Sequence, residues 1–576
     1  MVAEHTEQGT AQASDRPSPH QQGSERRTTR ARSLASALPP GHLWGRRDLL
    51  WRTLAAAVSG LAQLFALPPF GLWWLGPLSA ALLAFAVAGT RLRRAAWLGA
   101  LAGGTLMVPL VRWQDIFGVD VWLAIAGLET AYFLPMAMGL ALVMRLPGWP
   151  LWTAALWVAQ EAVRARLPLG GFPWGKLAFA QPDTPFVGYA ALGSSALVSF
   201  VVALTGGLLL WSALSAVSAR TRGAATGAVQ PPADAAGPGG SGADGARPPR
   251  AGWIAAAVGL AACAALVAGG ALAPAIGRPA VSHTVTVGMV QGNVPNVGGI
   301  SILGERMEVL GNHVDGVHEL AAGVRAGEYP QPDMVLLPEN ASDLDPYRDP
   351  TAREVIDAAA TDAGVPLLWG MSRFNDDGTR YVSSVVWDPE TGPGELYDKR
   401  YLVPFGEYVP YRDFFTQFVD RLRQVSSDAL PGTEPGALDV GDTTLAVGIC
   451  FDVAFDVPVR ESVAAGGQVI VIPTNNANYN FTGQSDQQLA ITQLRAVEHG
   501  RPAVVVSTSG VSAVVAPDGT TSYRSPEGEP DIHVAELDAM DGTTVATRLG
   551  AAPEAFLSAL GAAAVLAALV LGRRRA

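Results

Sequence analysis

At 576 residues, 49% of them hydrophobic and only 16% charged, with 15 Trp, the chain is too apolar for an ordinary large soluble protein and reads as membrane plus globular. The net charge of −11 conceals an asymmetry: residues 282–545 carry about twenty more acidic than basic side chains, while the remainder is net basic. That balance argues against nucleic acid as a partner of the globular part, and two distant cysteines, Cys263 and Cys450, make neither a disulfide framework nor a metal cluster.

Residues 1–47 are polar and lack apolar periodicity, which predicts a disordered cytoplasmic tail rather than a cleaved signal peptide. Apolar runs long enough to cross a bilayer, about twenty residues each, follow at 49–66, 71–89, 95–114, 119–144, 150–166, 187–214 and 252–275. They define a seven-helix transmembrane domain over 48–275, interrupted by a Gly/Pro-rich linker at about 215–250. Residues 548–576 supply an eighth helix, with Ala551 to Leu571 as its apolar run, and a basic end at Arg573, Arg574 and Arg575.

Orientation follows from the flanking arginines. Arg46, Arg47, Arg52, Arg91, Arg93, Arg94, Arg145, Arg220, Arg222 and Arg250 fall on one side if the spans alternate, and the positive-inside rule makes that side cytoplasmic. Both termini are then cytoplasmic, and residues 276–547 form an extracytoplasmic domain; the high Ala, Gly, Pro and Arg content suggests a GC-rich bacterial source, hence the bacterial inner membrane. Arg164, Arg166 and Lys176 break the pattern. They flank Gly170-Gly171-Phe172-Pro173-Trp174-Gly175, a run that suggests a re-entrant or interfacial segment rather than a tight turn.

Within 276–547 the pattern changes to short Val/Ile/Leu runs at Thr284–Val290, Met334–Leu337, Pro366–Gly370, Val382–Trp387, Thr444–Ile449, Val469–Ile472, Ala503–Ser507 and Ser512–Val515. Helices are predicted at about 302–326, 351–363, 411–424 and 485–500. Strands of this kind alternating with helices indicate an α/β domain with a buried sheet.

Three segments place ionisable residues beside those strands: Glu339 after Met334–Pro338, Lys399 after Leu396-Tyr397-Asp398, and Cys450 at the end of Thr444–Ile449. A thiol, a carboxylate to take its proton and an ammonium to stabilise an oxyanion suffice for acyl transfer through a thioester. Taken singly, a lone cysteine is more often an inert core residue, and strand-end carboxylates and lysines are more often solvated. At a strand-to-helix junction the thiol is expected at the sheet edge, polarised toward the thiolate by a helix N-terminus.

Pro338-Glu339, the run Asp398-Lys399-Arg400-Tyr401-Leu402-Val403-Pro404-Phe405-Gly406-Glu407-Tyr408-Val409-Pro410, and Ile449-Cys450 resemble the Glu, Lys and Cys motifs of the nitrilase, or carbon-nitrogen hydrolase, superfamily. Together with Met289-Val290-Gln291-Gly292-Asn293 and Gly171-Phe172-Pro173-Trp174, the Lys-to-Pro run resembles the apolipoprotein N-acyltransferase family specifically. The resemblance implies an α-β-β-α sandwich in which Glu339 is the general base, Cys450 the nucleophile and Lys399 the oxyanion donor, with Glu407 fixing Lys399. It implies a ping-pong transfer of an acyl chain from a phospholipid, through a Cys450 thioester, to the α-amine of a diacylglyceryl-cysteine at a lipoprotein N-terminus, the last step of lipoprotein maturation. No cofactor is implied. Asp452 stands where many members have Glu and is expected to help orient the site, while the Thr474–Asn480 loop lacks an Asp and a Trp frequent in the family.

The segment 411–422 has apolar residues at helical spacing with charges between, so Phe414, Phe415 and Phe418 are candidate lipid contacts or core aromatics. Phe172 and Trp174 are candidate interface anchors or substrate contacts. Two other functions fit the sequence: a membrane-tethered amidase or nitrilase acting on a small nitrogen compound, and a non-catalytic membrane scaffold or transporter.

Overall fold

The computed structural model describes residues 46–227, 249–295, 307–417 and 427–573, together with 419, 422, 423 and 425. The N-terminal tail, most of the Gly/Pro-rich linker, Asn296–Gly299, Phe418, Arg574 and Arg575 lie outside these residues. Eight helices come first: α1 (Arg46–Ala66), α2 (Leu75–Val87), α3 (Leu92–Leu110), α4 (Val119–Ala131), α5 (Phe133–Val143), α6 (Trp149–Arg164), α7 (Ala190–Gly227) and α8 (Pro249–Leu272). The sandwich layers follow as β1 (Ala280–Gln291), α9 (Glu308–Ala326), β2 (Met334–Leu336), α10 (Pro350–Ala363), β3 (Leu367–Phe374), β4 (Arg380–Asp388) and β5 (Gly392–Asp398). Next are β6 (Ala437–Val440), β7 (Thr443–Val447), α11 (Val457–Ala464), β8 (Val469–Thr474), α12 (Gln484–His499), β9 (Ala503–Ser507), β10 (Ala513–Val515), β11 (Thr521–Arg524) and β12 (Asp531–Asp541). A short α13 (Val545–Leu549) leads into α14 (Ala552–Arg573).

All eight apolar runs of the sequence fall on helices. Among the described residues, five stretches are long and apolar enough to cross a membrane: Asp48–Ala66, Val119–Val143 across α4 and α5, Pro185–Thr221, Arg250–Ala275 and Ala552–Gly572. The helices α2, α3 and α6 are shorter or carry charge, as at Arg93 and Arg94 of α3. The basic residues that break the sidedness pattern are paired. Arg164, 1% exposed, lies 3.0 Å from Glu129; Arg166 meets Glu554 at 2.5 Å; and Lys176 lies 3.5 Å from Asp456 of the sandwich layers. Arg164 and Lys176, withdrawn from water, require such partners, whereas Arg166 is half exposed.

Two six-stranded sheets stack face to face, in the orders β12-β1-β2-β3-β4-β5 and β11-β10-β9-β8-β7-β6. Val285, Val287 and Met289 of β1 and Leu336 of β2 share one apolar core with Val447 of β7, Val471 of β8 and Val506 of β9. Fully apolar runs such as Val469–Ile472 form strands because both faces of the sheet are covered. Helices α9 and α10 cover the outer face of the first sheet through Leu310, Val317, Ile356 and Ala360. Helix α10 starts where Asp349 accepts from the amides of Thr351 and Ala352, with Pro350 in the first turn.

Helices α11 and α12 cover the second sheet, and their Val459, Val463, Leu489 and Leu494 belong to the same core as Phe133 and Leu140 of the bundle. One helix layer of the sandwich is therefore also a layer of the membrane-side bundle. Where the sequence suggested a helix over 411–424, the described residues show a helical turn at Arg412–Phe415, tied down by a bidentate Arg412–Asp428 pair.

Candidate active site

Each candidate catalytic residue stands just past the end of a strand, where the backbone is shaped by a local exception. Glu339 follows β2 and is backed by Gly370 of β3, on which a Cβ would stand 2.0 Å from the Pro338 carbonyl oxygen. Lys399 follows β5; its amide donates to Val382 O at 2.8 Å and its carbonyl accepts from Gly432 N at 2.9 Å. Cys450 opens a five-residue 3-10 turn after β7, with a left-handed φ of 49° that a side chain adopts only when its surroundings enforce it.

These three strand ends converge. Lys399 Nζ donates to Glu339 Oε1 at 2.9 Å and to Glu407 Oε1 at 2.7 Å, occupying two of the ammonium's three donors. Glu407 Oε2 accepts from Val403 N at 2.7 Å, and Glu339 Oε2 accepts from Asn475 N at 2.9 Å. The Cys450 thiol lies close enough to Glu339, Lys399 and the Asn475 main chain for each to shift its acidity.

Lys399 and Glu339 are 1% and 3% exposed, so the electrostatics are those of a dry site. Burial disfavours the Lys399 ammonium, but Glu339 and Glu407 outweigh it and hold the amine charged, well above its ordinary range. Burial also raises Glu339, opposed by Lys399 and assisted by Glu407. The Cys450 thiol is pushed up to about 12, by burial first and the Glu339 charge second, against Lys399. This corrects the expectation of an exposed, dipole-stabilised thiolate: Cys450 is 9% exposed, and its side chain rests as a thiol beside a carboxylate. Activating such a thiol needs a base, and the neighbouring Glu339 carboxylate has the chemistry to serve as one.

Asp452 is fully buried and accepts from Tyr397 Oη and Tyr401 N, both at 2.8 Å, and from Ile449 N at 3.1 Å. It ties the segment carrying Lys399 to the turn carrying Cys450; burial raises its carboxyl to about 6. Trp174 is 2% exposed and donates its indole N–H to Gln487 Oε1 at 2.6 Å. Its ring, with those of Phe172 and Trp113, stacks around Phe451, the residue after the nucleophile, and Tyr479. The Gly171–Trp174 run thus reaches from the bundle to the side of the nucleophile turn. Phe414 is 57% exposed at the far end of the Lys-to-Pro loop, while the side chains of Phe415 and Phe418 lie outside the described residues.

Asn475 and Tyr397 went unnoticed in the sequence. The first acts through its main chain, and its one visible signal is that Thr474-Asn475-Asn476 ends an apolar strand; the second reads as an ordinary strand aromatic.

Comparison with known proteins shows what this architecture belongs to. Residues 59–208 match the apolipoprotein N-acyltransferase N-terminal domain, and residues 287–546 match the carbon-nitrogen hydrolase family. An apolipoprotein N-acyltransferase of Mycolicibacterium smegmatis is 35% identical over 535 residues, covering 90% of this chain and 85% of the relative. The chain belongs to the apolipoprotein N-acyltransferase family. A member from Chromobacterium violaceum is 29% identical over 91% of this chain and 94% of its own length. Among solved structures, a nitrilase-superfamily amidase from Nesterenkonia covers 48% of this chain and 97% of its own at 21% identity and a TM-score of 0.36. A carbon-nitrogen hydrolase from Helicobacter pylori covers 45% and 90%, at 17% identity and a TM-score of 0.35. Members of the apolipoprotein N-acyltransferase family are enzymes, and the two matched regions correspond to the helical bundle and the double-sheet sandwich described above.

Proposed function

We propose that this chain moves an acyl chain from a phospholipid to the α-amine of the N-terminal diacylglyceryl-cysteine of a lipoprotein, with Cys450 as the covalent carrier. Glu339 takes the Sγ proton as sulfur attacks the ester carbonyl, and Lys399 Nζ donates to the oxyanion that forms. The proton passes from Glu339 to the departing lysophospholipid alkoxide, leaving a thioester. The lipoprotein amine then attacks the thioester carbonyl and loses its proton to Glu339; the amide forms as sulfur leaves, and the proton returns to Sγ. Glu407 holds Lys399 in place through both halves, and Asp452 keeps the Lys and Cys segments in register.

The observation that carries this reading is the Lys399 ammonium bridging Glu339 and Glu407 beside the buried Cys450. In a chain related over nine-tenths of its length to apolipoprotein N-acyltransferases, it favours acyl transfer over the amidase and scaffold readings.

Both substrates are lipid-anchored, so we place the sandwich, residues 276–547, on the extracytoplasmic face. The domain over 48–275 and the helix within 548–576 would then make eight spans, with both termini cytoplasmic. The occurrence of a helix at every apolar run supports this count, and the flanking arginines support the sidedness. Among the described side chains of the 411–422 arm, Tyr411 and Phe414, 75% and 57% exposed, are suited to touch acyl chains.

Intact-protein mass spectrometry after incubation with a defined phospholipid tests the proposal. One acyl chain should appear on Cys450 and leave on addition of a diacylglyceryl peptide. Turnover of soluble amides with no thioester would establish the amidase instead.

A further inference from the structure

The turn that carries the nucleophile is held at both ends by one helix. Gln488 of α12 donates from Nε2 to the Cys450 carbonyl at 3.3 Å and to Thr474 Oγ1 at 2.7 Å, and its Oε1 accepts from Asn476 at 2.8 Å. Seven residues on, along the same helix face, Arg495 donates from Nε to the Val453 carbonyl at 2.9 Å and from Nη2 to the Ala454 carbonyl at 3.2 Å. Its Nη1 pairs with Asp456 Oδ1 at 2.6 Å and Glu498 Oε2 at 2.5 Å. Asp456 is held in turn from the bundle side, by Ser195 Oγ at 3.2 Å and Lys176 Nζ at 3.5 Å. Arg495 is completely buried, and its hydrogen bonds and ion pairs given above go to neither the trio nor the Asp452 carboxylate.

We propose that Arg495 is a positioning residue for Cys450, fixing the far end of the nucleophile turn against the bundle while Gln488 fixes its start. A left-handed φ at Cys450 persists only if neighbouring groups over-determine it. The last carbonyls of so short a turn lack partners within it, and a guanidinium is the side chain that can hold two of them and a carboxylate at once. Lysine has charge but no fork. Without the fork the turn relaxes, and Sγ moves away from Glu339 while the lipid-binding surfaces stay in place.

The test uses the full-length enzyme in detergent and two readouts, of which only the first rests on the acyl-transfer reading above. For wild type, Arg495→Lys and Gln488→Met, thioester formation is followed against phospholipid concentration, and alkylation of Cys450 by iodoacetamide is followed by peptide mapping. For Arg495→Lys the expected result is a maximal thioester rate lower by about 100-fold, the size of effect a displacement of about 1 Å produces. The half-saturating lipid concentration should be unchanged, and alkylation should be slower in parallel. Wild-type rates in both readouts overturn the proposal, as does a loss of rate explained by weaker lipid binding. If Arg495→Lys does not fold, Gln488→Met decides by the same criteria. If wild type forms no thioester, the acyl-transfer reading fails, and the alkylation ratio still decides whether Arg495 positions the thiol.

Discussion

Replacing Glu407 with Gln separates the two tasks of this carboxylate. Its Oε1 accepts from Lys399 Nζ and its Oε2 from Val403 N, so both of its oxygens face donors. An amide presents one acceptor and one donor, and in either orientation one of the two contacts becomes donor against donor. If the oxygen turns to Lys399, the loop at Val403 loses its anchor; if the NH2 does, the ammonium is pushed from its place. A hydrogen bond involving a charged group contributes about 1.5–3 kcal/mol, which corresponds to a rate loss of about 10- to 150-fold if it is felt in the transition state. With Lys399 assigned to the oxyanion in both proposed half-reactions, thioester formation and its aminolysis should slow together, with little change in the half-saturating phospholipid concentration. Quenched time courses read by intact-protein mass spectrometry measure the first step, and adding a diacylglyceryl peptide to preformed thioester measures the second. Wild-type rates, or a loss confined to the second step, would refute the role assigned to Glu407.

Three further outcomes are expected. Glu339 is raised by burial, so the base is lost as pH falls through a value above the ordinary carboxylate range; with the thiol pushed up to about 12, there should be no further gain between pH 7 and 9. A profile that rises through pH 8–9, as an isolated thiol of pKa about 8.5 would, contradicts a thiol at rest. Gly370→Ala places a Cβ 2.0 Å from the Pro338 carbonyl oxygen, which must push Glu339 outward; thioester formation should fall by at least about 10-fold while α12 and the bundle retain their helical circular dichroism. Asp452→Asn keeps the volume but sets an NH2 against one of the donors from Tyr397, Tyr401 and Ile449, and a thermal shift assay should register a loss of about 1–3 kcal/mol.

The convergence of Glu339, Lys399 and Cys450 was legible in part because ionisable side chains past strand ends leave a written trace, and the Lys-to-Pro run supplied their context. The eight core runs were legible for a similar reason, since burial on both faces demands unbroken Val, Ile and Leu. Strands β5, β6, β11 and β12 were not. The chain of β12, Asp531-Ile532-His533-Val534-Ala535-Glu536-Leu537-Asp538, mixes charge into a partly exposed edge strand, and β6 and β11 are four-residue edges too short for a period to register. The buried charges were misleading for a different reason. Arg164 and Lys176 read as topological signals in a linear string, whereas their partners Glu129 and Asp456 are supplied by distant segments. The turn at Arg412–Phe415 falls short of the longer helix suggested by its apolar spacing, because Arg412 is drawn to Asp428 and the local pattern yields to that pairing.

The pairing of β1 with β12, from Ala280 opposite Asp541 to Gln291 opposite Asp531, joins the first strand of the sandwich to its last. A ribosome must therefore make some 250 residues between the two halves of that ladder before either can close it, and contacts of such long range are the slow ones in folding. Until Asp541 has been made, one side of β1 is an open edge of unpaired amides and carbonyls. The catalytic sheet is completed only when the segment leading into the final helix is synthesised, so a chain cut short before residue 531 would carry Glu339, Lys399 and Cys450 and still lack a finished sheet to hold them.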